Sequence, residues 1–181
     1  MQKIGVTSLM AVKVDSIAEF LNGLSDKEAS DVLYRCCASR VWVKRIIDHR
    51  PFRELLQIKS IADQIWFNLE EVDWLEAFRG HPKIGDVNSL RKKYSNTASW
   101  TKTEQSGVES TSDAVLQDLK RFNEEYEREF GFIFIICATG KSAEEMLATL
   151  QARLLNSREE ELRHAVIEQA KITHLRLGKL S

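Results

Sequence analysis

Proline and glycine are scarce here, with two prolines and eight glycines in 181 residues. An all-β chain would need many more turn residues, so the scarcity argues against that class. An excess of one charge is missing too. The chain has 26 Lys and Arg against 27 Asp and Glu, a formal net charge of -1. That balance gives no electrostatic reason to expect nucleic acid or an anionic membrane as a partner. No run of about 18 uninterrupted apolar residues occurs, so no membrane span is expected. The opening MQKIGVTSLMAVKVDS has only a short apolar patch, closely followed by Lys13 and Asp15, and does not read as a signal peptide. The closing GKLS is not the peroxisomal tripeptide Ser-Lys-Leu. Cysteine is limited to Cys36, Cys37 and Cys137, an odd set without C-x-x-C spacing. These read as reduced thiols, buried in a helix and in a strand-like core segment, and imply an intracellular compartment. Cytoplasm and peroxisome both satisfy that condition.

What is abundant is helix punctuation. Ser25-x-x-Glu28, Ser142-x-x-Glu145 and Ser157-x-x-Glu160 each have the capping-box pattern, and each precedes a helix-compatible apolar run. Val115, Leu119, Phe122 and Tyr126 recur at helical spacing toward Gly131, a plausible C′ glycine. The Phe52–Phe78 stretch lacks internal Gly and Pro and reads as two helices with a break near the acidic LEEVD. Only FIFIICA, Phe132 to Ala138, looks like buried extended chain, bounded by Gly131 and Gly140. It has no strand partner elsewhere, so it is expected to thread a helical core. The reading is all-α: a single-domain helical bundle over residues 16–181 with one short extended segment, preceded by an N-terminal extension over 1–15. A long Ser-, Thr- and Asn-rich loop runs from His81 to about Gly107, and loops of that length in compact domains are often functional or disordered.

Four features carry possible chemistry. In Gly80-His81-Pro82 the proline forces its predecessor into extended backbone, so His81 cannot continue a helix. Its imidazole is then offered from a fixed corner, suited to proton exchange near neutral pH; a helix stop that happens to contain histidine is the alternative. In WTKTEQSG, Thr101 or Thr103 can cap a short helix whose first turn holds Glu104 and Gln105. The helix dipole there favours an ionised carboxylate, although an ordinary acidic first turn looks the same. On the last helix, about 100° per residue places Ala165, Val166, Gln169, Thr173 and Arg176 within roughly 60° of Leu162, with His164, Glu168 and Lys171 opposite. An inward arginine needs a carboxylate or several acceptors, from a salt bridge or from an anionic substrate. Finally, the backbone of FIFIICA lacks a ladder, and a ligand, a helix or water can satisfy it. His49, His164 and His174 show no metal-ligand spacing, and no Walker loop, dinucleotide fingerprint or nucleophile elbow occurs. Neither a metal nor a nucleotide cofactor is expected.

Taken together, GHPKIGD, TEQ, FNEEYEREFGFIFIICATGK and RLLNSREEELRHAVIEQAKITHLRL resemble the 2-oxo-4-hydroxy-4-carboxy-5-ureidoimidazoline (OHCU) decarboxylases of urate breakdown. The resemblance runs from about Leu24 to Leu177. FGFIFIICATGKSAEEML is particularly similar to the plant branch, in which this domain is fused to a transthyretin-like hydroxyisourate hydrolase; these 181 residues do not contain that hydrolase. The resemblance implies an all-helical fold, usually homodimeric, without metal or organic cofactor. It also implies loss of CO2 and one-sided protonation to give (S)-allantoin. Matched motif by motif, it implies His81 and Glu104 as the catalytic acid–base pair. It implies Pro82, Thr101, Gln105, the segment Ile133, Phe134, Ile135, Ile136 and Cys137, and Arg176 as substrate-binding residues. Thr101 stands where serine is common, and FIF replaces the FPF frequent in animal members. The competing readings are a helical interaction module, with no small polar pocket, and an inactive member of the family.

Overall fold

The computed structural model describes residues 16–82 and 113–181. The described residues form helices and connecting loops, and no strand forms among them. The expected all-α class is the observed one. In chain order the helices are α1 (16–23), α2 (Asp26–Cys36), α3 (Arg40–Ile47), α4 (Leu55–Trp66), α5 (Glu71–Arg79), α6 (Asp113–Phe130), α7 (Ala143–Arg153) and α8 (Arg158–Leu177).

Local chemistry explains where these helices begin and end. At α2 the Ser25 hydroxyl accepts from the Glu28 amide, and the Glu28 carboxylate accepts from the Ser25 amide at 2.9 Å. Ser142 and Glu145 do the same for α7, with the reciprocal bonds at 3.2 and 2.7 Å. Ser157 and Glu160 close the third box, before α8, at 3.3 and 2.9 Å. Each cap satisfies orphan amides of a first turn and contributes about 1 kcal/mol. All three were legible as Ser-x-x-Glu. The expected break after α4 falls at residues 67–70. There the Trp74 indole donates to the Trp66 carbonyl at 2.9 Å, supplying a partner at the C-terminal end of α4. α6 ends at Phe130, and Gly131 follows with φ +79°, the left-handed geometry that relieves a helix C-terminus. Its predicted stripe is shifted: Leu119 and Tyr126 are fully buried, but Val115 and Phe122 only partly. Asn123 is buried instead, because its amide donates to the Leu119 carbonyl at 2.8 Å within the same helix.

The chain divides into two compact units, one running to Glu76 and resuming at Ile172, the other from Ala77 to Lys171. In the first, α3 packs against both α2 and α4. Its core includes Leu21, Leu33, Trp42, Ile46, Ile58 and Leu177. The buried Trp42 indole donates to the Ala62 carbonyl at 3.1 Å. Arg50 closes α1 by donating to the Leu21 and Leu24 carbonyls, where a cation meets the negative end of the helix. Cys36 and Cys37 lie in this core, as expected of reduced thiols. Burial pushes the Cys37 thiol up to about 12, with hydrogen bonds from Ser39 and Thr173 and the Arg176 charge offsetting only part of that cost. It is therefore protonated at neutral pH and inert as a nucleophile.

In the second unit α6 packs against α7. Phe132, Phe134, Ile135, Ile136 and Ala138 of the extended segment are buried. Cys137, expected in the core, is only half-buried.

Candidate active site

His81 sits one residue beyond the C-terminal turn of α5. Its amide donates to the Phe78 carbonyl at 3.0 Å, and the Gly80 amide donates to the Ala77 carbonyl at 3.0 Å. These two tightened bonds finish the helix, and Pro82 then holds His81 out of the helical region. The imidazole is half-buried, as is Pro82. Its Nε2 lies 2.6 Å from Oε1 of Gln169, a fully buried residue of α8. An amide oxygen only accepts, so this contact is a hydrogen bond in the tautomer that carries its proton on Nε2. Two other histidines are occupied elsewhere, His49 with the Arg45 carbonyl at 2.7 Å and His174 with the Asp63 carboxylate at 2.8 Å.

The extended segment is pinned along its length by side chains of this same unit. At its start the Phe132 ring lies 5.6 Å from that of Phe78, three residues before His81. In the middle, Arg153 Nη1 donates to the Ile135 carbonyl at 2.8 Å. At the far end the Cys137 amide donates to the Glu168 carboxylate at 2.7 Å. Burial pushes the Glu168 carboxyl upward, but Lys171 at 2.6 Å and the Cys137 amide outweigh it and hold it below the usual carboxylate range. Consecutive residues of one turn of α8 thus grip two things: Glu168 the segment, and Gln169 the imidazole.

The same unit holds a buried polar network. Glu161 is fully buried and receives the Tyr126 hydroxyl at 2.5 Å, Arg153 Nε at 2.7 Å and the Asn156 amide at 2.7 Å. Arg153 also donates to the Tyr126 oxygen at 3.2 Å. Burial pushes the Tyr126 phenol far above its ordinary range, so it remains a donor. A buried carboxylate is tolerable when its lone pairs are filled and a cation faces it, as here.

Of the residues assigned in advance, His81, Pro82 and the Ile133–Cys137 segment belong to the second unit. Arg176 belongs to the first, where Nη1 points to the Arg35 and Cys36 carbonyls of the last turn of α2, at 3.3 and 3.4 Å. Thr101, Glu104 and Gln105 lie outside the described residues. Among the described residues, no group of three His, Cys, Asp or Glu is placed to hold a metal ion, and no helix is long and apolar enough to cross a membrane. Sequence reasoning put Gln169 on the inward face without giving it a role, and it set Glu168 on the outer one. Glu168 is half-buried because the extended segment reaches that side of α8. The Tyr126–Arg153–Glu161 cluster gave no signal, since each member alone reads as an ordinary helix residue.

The family model described as OHCU decarboxylase matches residues 22–178. This chain belongs to the OHCU decarboxylase family. It is 43% identical over 147 residues to the uric acid degradation bifunctional protein TTL of Arabidopsis thaliana, covering 80% of this chain and 45% of that protein. The chain thus spans less than half the length of that relative. It is 31% identical over 166 residues to the OHCU decarboxylase of Xenopus laevis, covering 88% of this chain and 91% of that one. Among solved structures, a crystal structure of OHCU decarboxylase in the presence of (S)-allantoin superposes with a TM-score of 0.69 at 36% identity, covering 86% of this chain and 97% of the other. The resemblance read from GHPKIGD and its companion motifs is thereby the family found.

Proposed function

We propose that this chain catalyses the stereoselective decarboxylation of 2-oxo-4-hydroxy-4-carboxy-5-ureidoimidazoline to (S)-allantoin, within urate breakdown. Family membership supplies the reaction class. The observation that carries the reading is the corner at His81: a half-buried imidazole, fixed between a helix end and a proline, in the second unit with the anchored extended segment.

Loss of CO2 from this substrate leaves a carbanion-like centre that neighbouring imine and carbonyl groups delocalise. The residues then have to hold the anion, keep its orientation and deliver one proton to one face. His81 and Glu104 are assigned as the acid–base pair acting on the substrate hydroxyl and the new carbon centre. Arg176 is assigned to an anionic or carbonyl oxygen edge, with Pro82 lining the site. Thr101, Gln105 and the Ile133–Cys137 backbone orient the ureido and ring amides. The Cys137 amide is already committed to Glu168, so backbone donors for the substrate are assigned to Ile133–Ile136.

The catalytic domain is assigned to residues 16–181, which contain the family match at 22–178, with 1–15 as an extension. A homodimer is part of the same reading, by resemblance. So is functional coupling to a transthyretin-like hydroxyisourate hydrolase, which the word bifunctional in the Arabidopsis relative's name supports. Three cysteines held as thiols support an intracellular setting, cytoplasmic or peroxisomal.

The test is a coupled assay from urate, with circular dichroism of the allantoin formed. By the resemblance, the intermediate decays unaided to racemic product, so optical activity is the informative readout. His81→Asn is expected to abolish both the acceleration and the chirality while the far-UV spectrum stays helical. Retained (S)-selective turnover in that variant would remove the assignment.

A further inference from the structure

An imidazole held at a corner is still not defined as a catalyst until one ring nitrogen has been chosen. The backbone of His81 is fixed by Pro82 and by the bond from its amide to Phe78, but neither constraint prevents the ring from turning over about its own axis. A half-turn exchanges the positions of its nitrogens and carbons, and the neutral ring also has two tautomers. Something outside the corner has to select.

The selector lies 88 residues away in sequence. Gln169 Oε1 is 2.6 Å from His81 Nε2, and Gln169 is itself fully buried on α8, flanked on that face by buried Ala165, Val166 and Thr173. A glutamine in such surroundings is costly unless its amide is paired, and packing limits its rotamers. Its oxygen end can only accept, so it stabilises the tautomer with the proton on Nε2; its nitrogen end in the same place would impose the opposite one. Glutamine also does this without adding a buried negative charge beside the ring, as an aspartate or glutamate would.

We propose that Gln169 is the positioning residue for His81, holding the proton on Nε2 and so fixing both the way the ring faces and the tautomer in which it meets the substrate. The inference rests on His81 being catalytic, and its test separates the two claims.

The experiment uses the full chain, labelled with 15N-histidine, as wild type, Gln169→Met, Gln169→Glu and His81→Asn. The wild type is expected to show one downfield Nε2–H proton protected from exchange with water, assigned by its loss in His81→Asn. Gln169→Met removes the acceptor and should lose that protection. Gln169→Glu keeps an acceptor oxygen and should retain it. In Gln169→Met, kcat is expected to fall on the order of tenfold or more, with KM changed by less than about twofold, because orientation rather than binding is lost. The proposal is overturned by a wild-type His81 that carries its proton on Nδ1, by a Gln169→Glu variant that loses protection, or by a folded Gln169→Met variant that keeps either the protected proton or wild-type kcat. The wild-type spectrum decides even where Gln169→Met does not fold. An active, (S)-selective His81→Asn would sink the catalytic reading, whereas an inactive one beside a fully active Gln169→Met sinks only the positioning role.

Discussion

Arg176 shows how much a single side chain's meaning depends on its acceptors. Helical projection places it inward, and a guanidinium there calls for an anion or for several oxygens. The structure supplies two carbonyls at the C-terminus of α2, at 3.3 and 3.4 Å. These lie at the long edge of hydrogen-bond range, so the contact is mainly attraction between a cation and the negative end of a helix, typically 0.3–1 kcal/mol. A lysine would keep that attraction and lose the planar fork that suits a carboxylate. Arg176→Lys is therefore expected to raise KM several-fold while moving the thermal midpoint by only about 2–4 °C. A large loss of stability with unchanged KM would make Arg176 a structural clamp.

At the level of elements, the notable piece is the one that is neither helix nor strand. Residues 133–138 are extended and largely buried. An extended buried chain without a ladder needs side-chain partners for its backbone. Arg153 and Glu168 provide them at Ile135 and Cys137. The Glu168 carboxyl is held below its ordinary range, so its bond to Cys137 contributes fully above that range and is lost as pH falls through the lowered folded value. Glu168→Ala is expected to cost about 1.5–3 kcal/mol at neutral pH, and the gap between variant and wild type should close on acidification. Denaturant titrations at pH 7 and at progressively lower pH measure both. A gap independent of pH would assign the effect to packing alone.

Across the second unit as a whole, one buried ionic cluster ties three helices together. Arg153 joins Glu161 of α8, Tyr126 of α6 and the Ile135 carbonyl from its place on α7. Its guanidinium also lies 4.7 Å from the centre of the Phe134 ring. Removing it leaves a fully buried Glu161 carboxylate without its cation, and one-sided loss of a buried pair costs about 3–5 kcal/mol. Arg153→Met should lower the midpoint followed by far-UV circular dichroism by roughly 10 °C. Adding Glu161→Leu should recover part of that loss, because the stranded charge goes too. A double variant no better than the single one would show that the Ile135 and Tyr126 bonds, rather than the charge, dominate.

The sequence by itself determined whatever is written in residues a few positions apart. Ser25, Ser142 and Ser157 cap because each has a glutamate three residues on; Gly131 ends α6 because it tolerates positive φ; Pro82 takes His81 out of its helix. Each is a local backbone rule, indifferent to the rest of the chain. The run of motifs also identified the family, since order and spacing survive where overall identity has fallen. Only the tertiary structure decided that Gln169 meets His81, that Glu168 takes the Cys137 amide, and that Tyr126, Arg153 and Glu161 share one buried site. A buried polar group must find a partner, but its own neighbourhood in sequence does not say which. That choice is made when packing brings distant helices to hydrogen-bonding distance.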